Sequence, residues 1–176
     1  MTYITTYTGK HFNPIEPDSS LIDIRDIAHA LSMICRGNGQ VTGFFSVAQH
    51  CVNCAREAEA RKLSGRVILA CLLHDAAEAY LSDVPRPLKS FMPQYLEVED
   101  RLLGMVYEKF IGEPLSKEEQ LQVKQIDDDM LYYDMEVLLR EPQEGEPPKL
   151  GITLNYDFVP FEQVEHTYLE LFERWR

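Results

Sequence analysis

An all-α fold is predicted for this chain by three features: apolar residues recurring at helical spacing through most of its length, two capping boxes, and a β pattern confined to the first dozen residues. Residues 2–12 alternate Thr with Tyr and Ile around Gly9-Lys10, which predicts a small N-terminal β-hairpin or extended arm. Asp26 is suited to cap a helix with Ile27, Ala30, Leu31 and Ile34 on one face. Gly37-Asn38-Gly39 then ends it and leaves Arg36 at the helix exit. Ser46-x-x-Gln49 opens a helix to about Lys62, because the Ser oxygen and the Gln amide satisfy free N–H groups of a first turn. His50 falls within the apolar stripe Val47, Cys51, Cys54 and Ala58. From Val67 to Leu73 the chain is apolar all round, the mark of a central buried helix, and it ends abruptly at His74-Asp75.

Beyond that point Asp83-Val-Pro85-Arg-Pro87 reads as a fixed loop, since each proline removes a donor and biases its predecessor away from the helical region. A helix follows from Pro93 to Phe110. The second capping box, Ser116-x-x-Glu119, starts another that passes through Ile126-Asp-Asp-Asp-Met130 to about Leu139. Four prolines and two glycines make 141–160 a long loop, and a last amphipathic helix over about 161–175 sets Val164, Tyr168, Phe172 and Trp175 on one face. The expected organisation is one helical domain over 1–176, with its core at about 26–139.

Composition bounds the function. The 176 residues, 45% hydrophobic and 26% charged, suit one globular domain and exclude a disordered scaffold. A net charge of −12 repels polyanions, so neither a nucleic-acid polymer nor an anionic membrane face is expected as partner. No apolar run approaches the roughly 18 residues of a membrane span. The N-terminus carries no targeting pattern, and Cys35, Cys51, Cys54 and Cys71 lie in apolar helical segments, so a cytoplasmic, reduced protein is expected.

The chemistry concentrates around His74-Asp75. A carboxylate at the end of a buried helix requires a cation or a proton, and a divalent metal supplies the cation. His50 faces inward on the preceding helix, so His50, His74 and Asp75 are expected to converge. Asp127 is the fourth candidate ligand, because it shares a face with Val123, Met130 and Asp134 while Asp128 and Asp129 rotate away by about 100° per residue. This mixed N/O set predicts one divalent transition metal per chain, Mn, Co, Fe, Ni or Zn. Glu78, four residues after His74 and expected on the same helical face, is placed to handle the proton of an activated water, and Asp83 is the next acid. Arg36 and Lys89 are the best local cations for a phosphate. Cys51-x-x-Cys54 has no second cysteine pair and reads as core packing. His11, His29 and His166 have no motif context.

The order His50, His74-Asp75, Asp127 resembles the HD-domain phosphohydrolase superfamily. Within it, the string His74-Asp-Ala-Ala-Glu78-x-x-x-x-Asp83-Val-Pro85-x-Pro87-x-Lys89 is similar to that of the bacterial 5′-deoxynucleotidases. The resemblance runs from Arg36 to Asp127. It implies an HD-domain helical bundle, a metal held by His50, His74, Asp75 and Asp127, a phosphate-binding Arg36, and Glu78 and Asp83 as catalytic acids. The implied activity is hydrolysis of (deoxy)nucleoside 5′-monophosphates, a small-molecule partner. Homodimers are common among these relatives, so a homodimer is an expectation by analogy alone. A Trp commonly follows the arginine in those enzymes, whereas Gly37 stands here. The alternative is a catalytically silent nucleotide sensor or an HD enzyme acting on another phosphate ester. Glu78 and Asp83 argue against the sensor, which has no need of them.

Overall fold

In the computed structural model, which describes residues 2–176, the regular structure is helical apart from one two-stranded hairpin. Strands β1 (Ile4–Thr5) and β2 (His11–Phe12) pair antiparallel, with Ile4 opposite Phe12. The helices are α1 (Ile24–Met33), α2 (Val47–Ala60), α3 (Gly65–Leu73), α4 (Glu78–Leu81), α5 (Arg86–Lys89), α6 (Pro93–Ile111), α7 (Lys117–Leu138) and α8 (Phe161–Trp175). Both expected capping boxes form, at Ser46 with Gln49 and at Ser116 with Glu119.

Three local expectations are corrected. The cap of α1 is Asp23, whose side chain accepts from the Arg25 N–H at 3.0 Å. Asp26 is instead buried in the first turn, where it accepts from the backbone N–H and hydroxyl of Thr8 and fastens the hairpin to α1. The stretch around Pro85 is not all loop: Pro85 is the cap residue of α5 and Pro87 lies in its first turn, where a missing N–H costs nothing. Finally, α3 does not run on to Glu78. Short-span bonds from Ala76 N–H to Leu73 O and from Glu78 N–H to Asp75 O, both 2.9 Å, turn the chain between α3 and α4.

Helix α3 is the centre of the fold. Val67 through Leu73 are all buried, and α2, α6, α7 and α8 pack around them. Helix α8 contributes Val164, Tyr168, Leu171 and Phe172, and the Tyr168 hydroxyl donates to Leu72 O at 2.8 Å. Trp175 is only half-buried. It lies over Gly65, where a Cβ would come within 3.3 Å of the indole. Among the described residues no helix is long and apolar enough to cross a membrane.

The 141–160 segment forms no regular element, yet it is tied down. Glu57 of α2 is fully buried and accepts the N–H groups of Gly151 at 2.9 Å and Ile152 at 3.1 Å, as well as Arg61 Nε at 2.7 Å. Arg61 in turn donates to Asp129 at 2.7 Å. Only glycine fits at 151, because a Cβ there would lie 2.8 Å from Ala60 Cβ. Further along, Tyr133 donates to Pro148 O at 2.6 Å and Tyr156 to Asp134 at 3.0 Å, so the loop is a strap laid across α2 and α7.

Glu57→Ala removes the carboxylate that satisfies these buried donors, and should lower stability by about 3 kcal/mol. Urea unfolding measures this. Limited proteolysis should find the 141–149 stretch cut faster in the variant than in the wild type.

Candidate metal centre and its pocket

The start of α2, the end of α3 and the middle of α7 meet, and each delivers a residue there. The capping box sets the start of α2, which turns His50 inward at 1% exposure. The end of α3 delivers His74 and Asp75, and α7 delivers Asp127. His50 Nε2 lies 3.1 Å from Asp127 Oδ1, His74 Nε2 lies 3.6 Å from the same oxygen, and His74 Nε2 lies 3.4 Å from Asp75 Oδ2. Ligands at about 2.1 Å from one ion stand about 3.0 Å apart in an octahedron and about 3.4 Å apart in a tetrahedron. These three separations, which link His50 to Asp127, Asp127 to His74 and His74 to Asp75, are close to the edges of a coordination polyhedron.

The tautomers agree with this. His74 Nδ1 lies 2.8 Å from Cys71 O, and a carbonyl only accepts, so Nδ1 carries the hydrogen and the neutral ring's lone pair is on Nε2. That Nε2 is buried and has no hydrogen-bond partner. His50 Nδ1 donates to Asp134 Oδ2 at 3.0 Å, which likewise leaves Nε2 facing Asp127. A second carboxylate behind a ligating histidine is the usual outer support of a metal centre. Asp134 thus belongs to the site although the sequence reading assigned it no role. The available signal was its place on the inward face of α7, seven residues after Asp127.

Without a cation the cluster draws protons instead. Burial opposes charge on both histidines, yet Asp127 and Asp134 beside His50, and Asp75 and Asp127 beside His74, hold them well above the ordinary range. Burial also opposes charge on Asp127, but the two imidazoles keep its carboxyl far below the usual carboxylate range. A metal entering the site displaces these protons, so its apparent affinity rises with pH.

The cluster opens into a cavity of about 740 Å³, within the range of small-molecule sites. Its lining residues carry six carboxylates against three side-chain cations, Arg36, Arg86 and Lys89, and one wall is formed by Val41, Leu131, Met135, Leu138 and Leu139. Arg36 lies beyond the end of α1, fixed by the bridge of Cys35 with Ser46. Its N–H donates to Phe45 O at 2.8 Å. Its guanidinium is anchored by Asp134 at 3.0 Å and stands 3.8 Å from Asp75. Gly37 follows with φ 57° in a left-handed turn, and a Cβ there would already touch Val41 and Leu139. The positive φ, more than these contacts, makes a larger residue at this position strained.

Glu78 is buried, with Oε2 unpartnered. Burial, reinforced by Asp75 and Asp83, pushes its carboxyl up to about 9. Asp83 is raised too, by burial above all. Lys89 Nζ contacts Glu99 at 2.6 Å and Glu78 at 3.4 Å, so two of its three donors are engaged within the protein. Arg86, missed in the sequence because it lies between two prolines, donates to the outer oxygen of Asp127 at 2.9 Å. Cys51 and Cys54 are buried, as core packing requires, but their sulfurs also border the cluster. Cys54 Sγ is 3.5 Å from His50 Nε2 and Cys51 Sγ is 4.0 Å from Asp75 Oδ2.

No protein-family model matches the chain. It is 39% identical over 110 residues to the uncharacterized protein YfdR of Escherichia coli strain K12, covering 62% of this chain and 59% of that protein. It is also 39% identical over 109 residues to an uncharacterized protein of Rhodobacter capsulatus, covering 58% of this chain and 55% of that one. The match therefore spans little more than half the length of these relatives.

Asp134→Ala should weaken metal binding by about 10- to 100-fold, because His50 loses the partner that fixes its tautomer. Isothermal titration with Mn²⁺ or Zn²⁺ measures it. A second prediction concerns the metal-free protein. With Glu78 raised to about 9 in the folded chain, the native state keeps a proton that the unfolded state releases. Stability relative to Glu78→Gln should therefore fall as pH rises from about 5 to about 9. Parallel unfolding of the two proteins across that window would show no divergence if the carboxyl titrates normally.

Proposed function

We propose that this chain is a metal-dependent phosphomonoesterase acting on (deoxy)nucleoside 5′-monophosphates. The observation that carries the reading is the chain of close approaches from His50 through Asp127 and His74 to Asp75, with His74, Asp75 and Asp127 on the wall of a cavity that Arg36 and Glu78 also line. A divalent transition metal held by His50, His74, Asp75 and Asp127 supplies Lewis acidity, polarising a phosphoryl oxygen and lowering the pKa of water toward neutrality.

The chain's own residues supply the rest. Arg36, steadied by Asp134, directs its remaining N–H groups at phosphoryl oxygens, where a planar guanidinium binds two at once. Glu78 is the more deeply buried acid and its Oε2 has no internal partner, which favours it as the proton donor to the leaving 5′-oxygen. Asp83, closer to solvent, then takes the proton of the attacking water. This division reverses the roles favoured on helical position alone, and burial is the reason. Lys89 steadies Glu78 and adds positive charge beside the phosphate. The apolar wall from Val41 to Leu139 suits the face of a nucleobase.

Charge supports a monophosphate. In a cavity with six carboxylates, every added phosphate charge meets repulsion that the metal and three cations must offset. Inorganic phosphate release should be measured from dAMP, AMP and dATP, with Mn²⁺, Co²⁺, Zn²⁺ and Mg²⁺ supplied in turn. Higher kcat/KM for a monophosphate with a transition metal is expected. Preference for dATP would overturn the reaction class, and metal binding without turnover would favour a nucleotide sensor. Glu78→Gln should keep the metal while kcat drops by about 10²- to 10⁴-fold.

A further inference from the structure

Cys54 stands four residues after His50 on α2, one turn further along the same face, and is 1% exposed. Its sulfur lies 3.5 Å from His50 Nε2, the nitrogen that faces Asp127. Donor atoms of His50, Cys54 and His74 all fall within 4.8 Å of one another. An ion bonded to nitrogen at about 2.1 Å and to sulfur at about 2.3 Å separates those two atoms by about 3.1 to 3.6 Å, according to its geometry. The observed spacing lies inside that interval.

A second observation points to the same place. His74 is more than nine-tenths buried at its side chain, and its Nε2 has no hydrogen-bond partner. Oxygens of Asp75 and Asp127 stand 3.4 and 3.6 Å away without a well-formed hydrogen bond, so this nitrogen faces a space that an ion can complete. The Cys54 sulfur borders the space this nitrogen faces. Cys51 also joins a group, with His74 and Asp75, whose donor atoms lie within 4.8 Å of one another, but its sulfur stands 4.0 Å from Asp75 Oδ2, a longer approach than the 3.5 Å of Cys54 Sγ to His50 Nε2.

We propose that Cys54 is a direct ligand of the metal, adding a thiolate to the two histidines and two aspartates. The inference rests on the metal-centre reading given above. As the Sγ–metal bond forms, the thiol proton passes to solvent and the sulfur stays as thiolate. Five protein donors still leave one of six octahedral positions open. A thiolate also shifts preference toward softer ions, so zinc and cobalt should gain over manganese and magnesium.

Cobalt(II) chloride titrated into the metal-free 176-residue chain separates the two claims. Visible ligand-field absorption reports occupancy of the site, and a near-ultraviolet sulfur-to-cobalt charge-transfer band reports a thiolate ligand. Both are expected in the wild type. Cys54→Ala should lose the charge-transfer band while keeping the ligand-field bands, and Cys51→Ala should keep both. Cys54→Ser, nearer in size and polarity, repeats the comparison should the alanine variant fail to fold by circular dichroism. Ligand-field bands without a charge-transfer band in the wild type would overturn the thiolate and leave the metal centre standing. A charge-transfer band that survives in Cys54→Ala and vanishes in Cys51→Ala would also overturn it. Absence of any cobalt uptake would remove the metal centre and this ligand with it.

Discussion

The buried negative charge where α2, α3 and α7 meet is the constraint on which the rest of the structure depends. Asp75, Asp127 and Asp134 approach one another around two imidazoles in a region largely shielded from water. Uncompensated carboxylates in such a place cost several kcal/mol each. Positive charge must arrive, as protons on His50 and His74, as Arg36 and Arg86, or as an ion. The arrangement is stable only with one of these in place, and that makes it chemically useful.

Packing serves this centre. Because α3 is apolar on every face, it can be surrounded by other helices, and its last turn is then held in register with theirs. His74 and Asp75 follow directly at that end, so the polar cluster inherits the rigidity of the core. The 141–160 strap extends the support: Tyr156 donates to Asp134, and Asp134 bonds both His50 and Arg36. A segment with no regular structure is thereby linked, through one carboxylate, to a candidate ligand and to the candidate phosphate-binding arginine. The same carboxylate orients both, so the strap acts on the centre through position rather than contact.

Much of this was legible in the sequence, for identifiable reasons. Helix positions followed from apolar periodicity and from capping boxes at Ser46 and Ser116, signals that act within a few residues. The choice of Asp127 over its two acidic neighbours followed from rotation about the helix axis, and the structure pairs Asp128 with Lys124 and Asp129 with Arg61 instead. What escaped depended on contacts distant in sequence. Asp26 looked like a cap because its true partner, Thr8, lies in the hairpin. The links of Asp134 to His50, Arg36 and Tyr156 span different elements, and nothing local to Cys54 signals that its sulfur stands 3.5 Å from His50 Nε2. Arg86 was hidden by reading two prolines as loop, when the second merely occupies a helix's first turn.

On the proposed reading, this acidic, histidine-bearing cluster holds one divalent ion. Elemental analysis of protein purified without chelator, repeated after reconstitution with Mn²⁺, Co²⁺ and Zn²⁺ and paired with thermal unfolding, tests it most directly. One equivalent of transition metal per chain and a higher Tm on loading are expected, with both lost in His74→Ala, because ion binding to the native state stabilises it. Protein that takes up no metal under any of these conditions, or that takes it up equally after His74 is removed, would contradict it.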